Sequence, residues 1–169
     1  MEARAMFELI RSWLDAIRRN HALEHATVAV LLARRGPTRL AGRATASGFV
    51  ILGDLETDEV AAAAHEALRR LQAGEASLAI SPLCGTTIAV GAGLCALAAT
   101  LVLATGRPWT RFPNAFTAAA LAAVGGQPAG RWVQQHVTTL ADHGGVEILG
   151  VRTFFGRVHQ VQTRGPAGA

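Results

Sequence analysis

The feature that most restricts how this chain can fold is an apolar stretch, residues 83–105, that contains no acidic or basic side chain. A helix needs about 20 such residues to cross the hydrocarbon core of a bilayer. A second, weaker apolar stretch at 112–131 follows a short polar turn and is interrupted by the sequence Gly-Gly-Gln-Pro at 125–128. Together they predict a two-helix transmembrane hairpin inserted at 83–133, with spans at about 83–105 and 112–131.

Arginines are distributed unevenly around this hairpin. Ten precede residue 83, four follow residue 130, and only Arg107 and Arg111 lie in the turn. Because cytoplasmic segments carry the excess of arginine, the pattern predicts a multi-pass protein of the inner (plasma) membrane with both termini cytoplasmic. Gly91 and Gly93 in the first span allow close helix packing, which suits a partner membrane protein or a homodimer.

The net charge of +4 raises the question of nucleic acid. The arginines are spread along the chain without interleaved aromatic residues, and they flank the apolar stretches. Contact with anionic lipid headgroups explains such a distribution better. We therefore expect a lipid bilayer as partner and no nucleic acid.

The residues before the hairpin predict helices and a small sheet. Residues 1–35 are expected to form amphipathic helices, either two or one continuous helix. The first of these, with Trp13 on its apolar face, suits the headgroup region of a membrane or equally an ordinary packing site on its own domain. Residues 36–82 predict a strand at 48–53, a helix from Thr57 to about Ala73 and a strand at 77–80, which together form a parallel β-α-β unit.

The residues after the hairpin predict the rest of the sheet. Residues 134–164 contain two short apolar, β-branched runs, 146–151 and 158–161, which favour a β-hairpin that completes the domain. Residues 165–169 are predicted to be a tail. The expected fold is thus an α+β membrane protein: amphipathic helices, a cytoplasmic β-α-β unit plus β-hairpin, and an inserted transmembrane hairpin.

A metal-binding and catalytic site is indicated by the sequence His21-Ala22-Leu23-Glu24-His25. Residues i and i+4 share one face of a helix, so His21 and His25 can bind one metal ion. The pattern His-x-x-Glu-His also occurs in zinc hydrolases, where the glutamate acts as general base, and this assigns the catalytic role to Glu24. Zinc is therefore the expected cofactor.

A catalytic zinc requires a third protein ligand. Reversed-motif peptidases take a glutamate from a later helix, and no equivalent stands out in this sequence. Cys84, at the start of the first span, and His136, after the second, are the candidates, because the predicted topology returns both to the cytoplasmic surface.

Each of these residues also has a simpler interpretation. Cys84 can be a small buried apolar residue, and His136 can contact lipid headgroups. His21 and His25 can form hydrogen bonds with Glu24 and nearby backbone. The remaining histidines, His65, His143 and His159, are expected at the surface or in loops.

Four segments carry a family resemblance: Asn20–Thr27 with its His-Ala-Leu-Glu-His-Ala-Thr motif, Ala41-Gly42, Pro82–Thr87 with Cys-Gly-Thr, and Gln135–Thr139 at the exit from the second span. They resemble an uncharacterised family of bacterial membrane proteins, a domain of unknown function found in photosynthetic lineages among others. The resemblance covers nearly the full chain and implies two membrane spans without an assigned activity. Other members are expected to vary at Ser81, sometimes carrying a histidine there that would complete a metal site.

Two functions follow from the sequence. The first is a metal-binding membrane protein, a candidate hydrolase acting at the cytoplasmic bilayer surface, with peptide bonds as substrate by analogy with the motif. The second is a non-catalytic membrane scaffold or assembly factor that docks partner membrane proteins.

Overall fold

The computed structural model describes residues 2–165 as two compact units. The first unit comprises the residues up to 80 together with those from 139 onward, and the second comprises residues 81–138. The elements of the chain, in order, are α1 (Glu2–Arg35), β1 (Ala41–Thr45), β2 (Gly48–Leu52), α2 (Thr57–Gln72), a 3-10 helix (Ala76–Ala79), α3 (Gly85–Leu103), α4 (Pro108–Val133), a π-helical turn (Gln134–Thr138), β3 (Glu147–Phe154) and β4 (Val158–Arg164).

The first unit contains a four-stranded sheet in the order β1-β2-β4-β3, in which each neighbouring pair is antiparallel. β3 and β4 lie where the sequence predicts the C-terminal β-hairpin, and β4 pairs with β2 through the register Ile51 to His159. Strands that precede the second unit in the sequence, β1 and β2, therefore share one sheet with strands that follow it, β3 and β4.

Helices α1 and α2 cover one face of this sheet. Alternate residues of the strands point toward them, because successive side chains of a strand face opposite sides. The apolar residues of α2 recur at helical spacing, and alanine dominates its buried face, which allows the helix to approach closely. The core comprises Ala22, Leu23, Ala26, Val30, Leu31, Phe49, Ile51, Leu55, Val60, Ala63, Ala64, Ala67, Leu68, Leu71, Ala79, Val146 and Val161.

The predicted parallel β-α-β unit is wrong. Residues 76–79 form a 3-10 helix, not a strand. β2 is already paired on both sides, with β1 and β4, so a parallel strand has no position beside it. The chain instead turns back after α2, where the Arg70 guanidinium binds the Glu75 carboxylate at 2.7 Å and this hydrogen bond lowers the pKa of Glu75.

The strand β1 lies in a segment for which the sequence predicts no strand. Its sequence, Ala-Gly-Arg-Ala-Thr, has too few apolar or β-branched residues to give a strand pattern, and most of its side chains are exposed. β1 forms because it pairs with β2 across the short turn at 46–47. The prediction of strand 48–53, in contrast, agrees closely with β2.

At the N-terminus α1 is one uninterrupted helix of 34 residues, which decides between the two arrangements that the sequence left open. Asn20 does not break it. The Asn20 side chain instead donates to the carbonyl oxygen of Thr45 at 2.8 Å and accepts from Thr163 Oγ1 at 2.7 Å, so it ties α1 to the sheet.

The second unit is a hairpin of the two helices α3 and α4. The helix backbones meet where Gly126 faces Gly91, and a Cβ built on Gly126 would lie 2.8 Å from the Cα of Gly91. The sequence Gly-Gly-Gln-Pro at 125–128 does not break α4, which continues through Pro128 to Val133. By length and composition one helix of the described residues, α3, could cross a membrane.

The two ends of this hairpin are joined by a buried side chain. The Gln134 side chain accepts from the Ser81 backbone N–H at 2.9 Å and donates to the Ser81 carbonyl oxygen at 2.8 Å. It also donates to Thr87 Oγ1 in α3. The segments before α3 and after α4 therefore lie side by side. The predicted tail, apart from Gly165, falls outside the described residues.

Candidate metal site

His21 and His25 lie side by side on α1. They are one helical turn apart, so their side chains leave the same face. Their ring centroids are 4.3 Å apart with the planes tilted by 57°, and the ligand nitrogens lie within 4.8 Å of each other. Two nitrogens on one zinc ion are about 3 to 4 Å apart, given zinc–nitrogen bonds of about 2.1 Å. The pair is thus close to the spacing that a shared ion requires.

The His25 ring is held by the backbone of the first unit. Its Nδ1 lies 2.8 Å from the carbonyl oxygen of Ala79, the last residue of the 3-10 helix. A carbonyl oxygen only accepts, so Nδ1 carries the proton and Nε2 carries the lone pair. Histidine ligands of metals commonly have their second nitrogen bound to a carbonyl oxygen in this way. His25 is buried, and this hydrogen bond fixes both its tautomer and its orientation.

Glu24 is buried and packs against β1. A Cβ built on Gly42 would overlap Oε1 of Glu24, so the carboxylate occupies space that only a glycine leaves. The neighbouring side chain, His25, reaches the 3-10 helix instead. Within one helical turn, α1 therefore directs a carboxylate toward β1 and an imidazole toward residue 79.

Cys84 and His136 both belong to the second unit. Cys84 is buried and immediately precedes α3. His136 is exposed in the π-helical turn, where Nδ1 lies 2.9 Å from the Trp132 carbonyl oxygen and the ring stacks on Trp132 at 4.7 Å. The Gln134 bonds to Ser81 place the segments of both residues at the same end of the hairpin.

The expectation of a surface or loop position is correct for His65, which is exposed, and for His143, which is buried but lies in the loop before β3. It is wrong for His159, which is buried in β4. His143 Nε2 lies 3.0 Å from the carbonyl oxygen of Arg19 in α1. His159 lies on the inner face of β4, where Nδ1 is 2.8 Å from Thr153 Oγ1. Both side chains connect parts of the first unit, through Nε2 of His143 and Nδ1 of His159, while His159 Nε2 is buried without a hydrogen-bond partner among the described residues.

Comparison with known proteins adds a family. Residues 16–151 match the family described as Domain of unknown function (DUF6391). The chain belongs to the DUF6391 family. The match includes α1 from before the His-x-x-Glu-His motif, the whole hairpin and the first part of β3.

One DUF6391 relative is an uncharacterized protein of Picosynechococcus sp. (strain ATCC 27264 / PCC 7002 / PR-6). It is 41% identical over 139 residues, which cover 73% of this chain and 65% of the relative. The chain thus spans less than two thirds of that relative's length. No solved structure matches the chain.

The structure adds two features of the first unit that the sequence did not predict as parts of the site. These are the space at Gly42 for the Glu24 carboxylate and the Ala79 carbonyl oxygen that holds His25. Neither has a local signal, because β1 lacks a strand pattern and a backbone carbonyl oxygen has no sequence signature. In the second unit, Gln134 resembles any polar residue at the end of a helix, although its amide joins the two ends of the hairpin.

Proposed function

We propose that this DUF6391 protein is a membrane protein that binds a transition metal, with zinc as the first candidate, through His21 and His25. The observation that carries the proposal is the hydrogen bond from His25 Nδ1 to the Ala79 carbonyl oxygen. It leaves Nε2 as a lone-pair donor in a buried position beside a second imidazole. A thiolate or imidazole site of this kind favours zinc over magnesium or calcium, which prefer oxygen ligands.

Cys84 is the third ligand in this proposal. It follows Ala79 by five residues in the chain, and thiolate sulfur is among the preferred ligands of zinc. His136 is the weaker candidate, because its ring is exposed and stacks on Trp132. Two histidines and one cysteine leave a fourth position open, as catalytic zinc sites do.

Glu24 supplies the base if the site is hydrolytic. A bound zinc would polarise the scissile carbonyl group and acidify a water molecule. Glu24 would accept a proton from the water that attacks the carbonyl carbon and would return it to the leaving nitrogen as the carbon–nitrogen bond breaks. The assignment rests on the His-x-x-Glu-His motif, because the carboxylate itself is directed toward Gly42 in β1.

The hairpin of α3 and α4 is proposed to insert into the inner (plasma) membrane with both termini cytoplasmic. α3 has the required length, and of its residues only Thr87 is buried. The excess of arginines before and after the hairpin predicts that both termini face the cytoplasm. Retention of the full chain in membranes after alkaline carbonate extraction tests insertion. Green fluorescent protein fused to each terminus in turn should fluoresce, and alkaline phosphatase fused there should be inactive; the opposite pattern would overturn the topology.

The metal proposal is tested by elemental mass spectrometry of the detergent-purified full chain. We expect near-stoichiometric zinc in the wild type, a loss in His21→Ala/His25→Ala and in Cys84→Ser, and no change in His65→Ala, an exposed histidine of the same unit. Retention of metal in Cys84→Ser with loss in His136→Ala would transfer the third ligand to His136. No metal in the wild type after reconstitution with zinc would reject the site and leave the scaffold function.

Hydrolysis is tested separately with Glu24→Gln, which keeps the size of the side chain and removes the base. The variant should bind zinc like the wild type while its cleavage of a fluorescent casein substrate falls at least a hundredfold, in the range that general bases contribute. Equal casein cleavage by both proteins, or none by the zinc-loaded wild type, would reject the peptidase assignment and leave metal binding standing.

A further inference from the structure

The N-terminal half of α1 exposes large apolar side chains over more than two helical turns. Their exposed fractions range from 46% to 70%, far above those of the core residues in the second half of the same helix. This exposure rejects the alternative that the segment packs on its own domain. The residues are Met6, Phe7, Leu9, Ile10, Trp13 and Leu14, which we call the apolar stripe.

The stripe occupies one side of the helix. At 3.6 residues per turn it spans an arc of about 160°, with Leu9 at one edge and Phe7 at the other. Arg4 and Arg11 are seven residues apart and share the flank next to Phe7, where both are exposed. The polar side also holds Glu8 and Asp15, and Asp15 pairs with Arg18 at 3.1 Å.

We propose that this half of α1 lies in the headgroup region of a bilayer that contains anionic lipids. An arc of this width exceeds the narrow seam through which two helices of a coiled coil meet, and it matches helices that lie flat at an interface. Trp13 suits the boundary between acyl chains and headgroups. Arg4 and Arg11 border the stripe at the level where they can reach lipid phosphates while their stems remain in apolar surroundings.

This inference rests on the proposed membrane location and deepens the proposed function. Because α1 is continuous, His21 lies about 12 Å along the helix axis from Trp13, at 1.5 Å per residue. A flat α1 holds the His21–His25 pair close to the lipid surface. The substrates of such a site are groups presented at the membrane–water boundary.

The test uses the full chain in vesicles of phosphatidylglycerol and brominated phosphatidylcholine, whose bromines quench tryptophan fluorescence on contact. The variant Trp109→Phe/Trp132→Phe keeps only Trp13, and Trp13→Phe/Trp132→Phe keeps only Trp109 in the hairpin turn. Circular dichroism confirms that both variants are folded. We expect at least twofold quenching of Trp13 relative to vesicles without bromine.

The two variants separate the proposals. Quenching of Trp109 without quenching of Trp13 would reject the interfacial helix and leave the hairpin in the membrane. If neither Trp13 nor Trp109 is quenched, both the interfacial helix and the insertion of the hairpin are rejected. Absence of Trp13 quenching together with chemical cross-linking between α1 helices would assign the stripe to a second copy of the chain.

The role of the arginines is tested on the Trp13-only protein. Replacing phosphatidylglycerol by phosphatidylcholine should reduce Trp13 quenching, and Arg4→Gln/Arg11→Gln should make quenching insensitive to that replacement. The matched control is Arg152→Gln/Arg164→Gln, which removes the same charge from two exposed positions on the sheet. Equal lipid dependence in both double variants would reject recognition of anionic headgroups by this flank.

Discussion

His25 Nδ1 and the carbonyl oxygen of Ala79 are 2.8 Å apart, so a residue of the first helix is oriented by backbone 54 positions further along the chain. A ligand that is oriented before the metal arrives binds it with less loss of conformational entropy. The relationship therefore predicts that metal binding stabilises the folded chain as well as filling a site.

We expect zinc to raise the midpoint of thermal unfolding of the detergent-solubilised chain, and a chelator to reverse the change. A free zinc concentration of one hundred times Kd should stabilise by about 2.7 kcal/mol. His25→Ala should abolish the shift, and His65→Ala should retain it. A zinc-dependent shift of equal size in His25→Ala would show that zinc acts elsewhere on the protein.

The contact between Glu24 and Gly42 gives a prediction about stability. Gly42→Ala places a methyl group where the Glu24 carboxylate lies, so the side chain or β1 must move. Overpacking of this kind costs about 1–3 kcal/mol, measurable by chemical denaturation. Zinc content should remain near the wild-type value if His21 and His25 are the only metal ligands that α1 contributes.

The double variant Glu24→Ala/Gly42→Ala distinguishes this overlap from a general intolerance of alanine in β1. With the carboxylate removed, the added methyl group should cost less than it does in the wild-type background, giving a coupling free energy of at least about 1 kcal/mol. Additive effects of the two substitutions would mean that the carboxylate is not what makes glycine necessary at position 42.

The turn between β3 and β4 predicts a stabilising substitution. Phe155 has a φ of 52° and Gly156 a φ of 68°, so both adopt left-handed backbone in the turn between the paired residues Phe154 and Val158. Left-handed backbone costs a non-glycine residue roughly 1–2 kcal/mol, and asparagine tolerates it best among the others. Phe155→Asn should therefore stabilise the fold by about 0.5–1 kcal/mol, because the Phe155 ring is 99% exposed and loses no packing.

Phe154 provides the control for this turn. It is the last residue of β3 and is 44% exposed, so Phe154→Asn removes a strand-forming residue without relieving a left-handed backbone. Chemical denaturation should show the opposite sign for the two substitutions. Destabilisation by Phe155→Asn would indicate that the exposed ring is held by a contact outside this chain.

Sequence patterns were sufficient for elements whose signal is local. The periodicity of α2, the uncharged length of α3 and the β-branched runs of β3 and β4 each depend on residues within the element itself. The strand β1 and the 3-10 helix at 76–79 could not be predicted, because pairing partners decide them: β1 forms against β2, and β2 has no free edge for residues 77–80.

The candidate site divides in the same way. Helical spacing alone predicts that His21 and His25 lie on one face, and their rings are adjacent in the structure. The Ala79 carbonyl oxygen and the space at Gly42 depend on where distant segments fold, so no local pattern contains them. Burial of His143 and His159 also depends on distant segments, since partners from other elements satisfy Nε2 of His143 and Nδ1 of His159.

The close approach of Gly126 to Gly91 gives two substitutions that differ by one position in the same helix. A Cβ on Gly126 would lie 2.8 Å from the Cα of Gly91, and backbone at that distance cannot move aside without separating the helices. A Cβ on Gly125 meets no atom of the described residues within 4 Å. Gly126→Ala should destabilise the hairpin by about 1–3 kcal/mol, because van der Waals packing between the two helices is lost.

Gly125→Ala should be neutral or stabilise by up to about 1 kcal/mol, because alanine favours helix over glycine and adds no contact. The measurement is unfolding of the full chain in mixed micelles, followed by circular dichroism at increasing concentrations of sodium dodecyl sulfate. A larger loss for Gly125→Ala than for Gly126→Ala would mean that α4 presents its other glycine face to α3, or that position 125 contacts a second protein in the micelle. Equal small effects would mean that the helices separate readily enough to accommodate a methyl group, and that the hairpin gains little stability from the glycine contact.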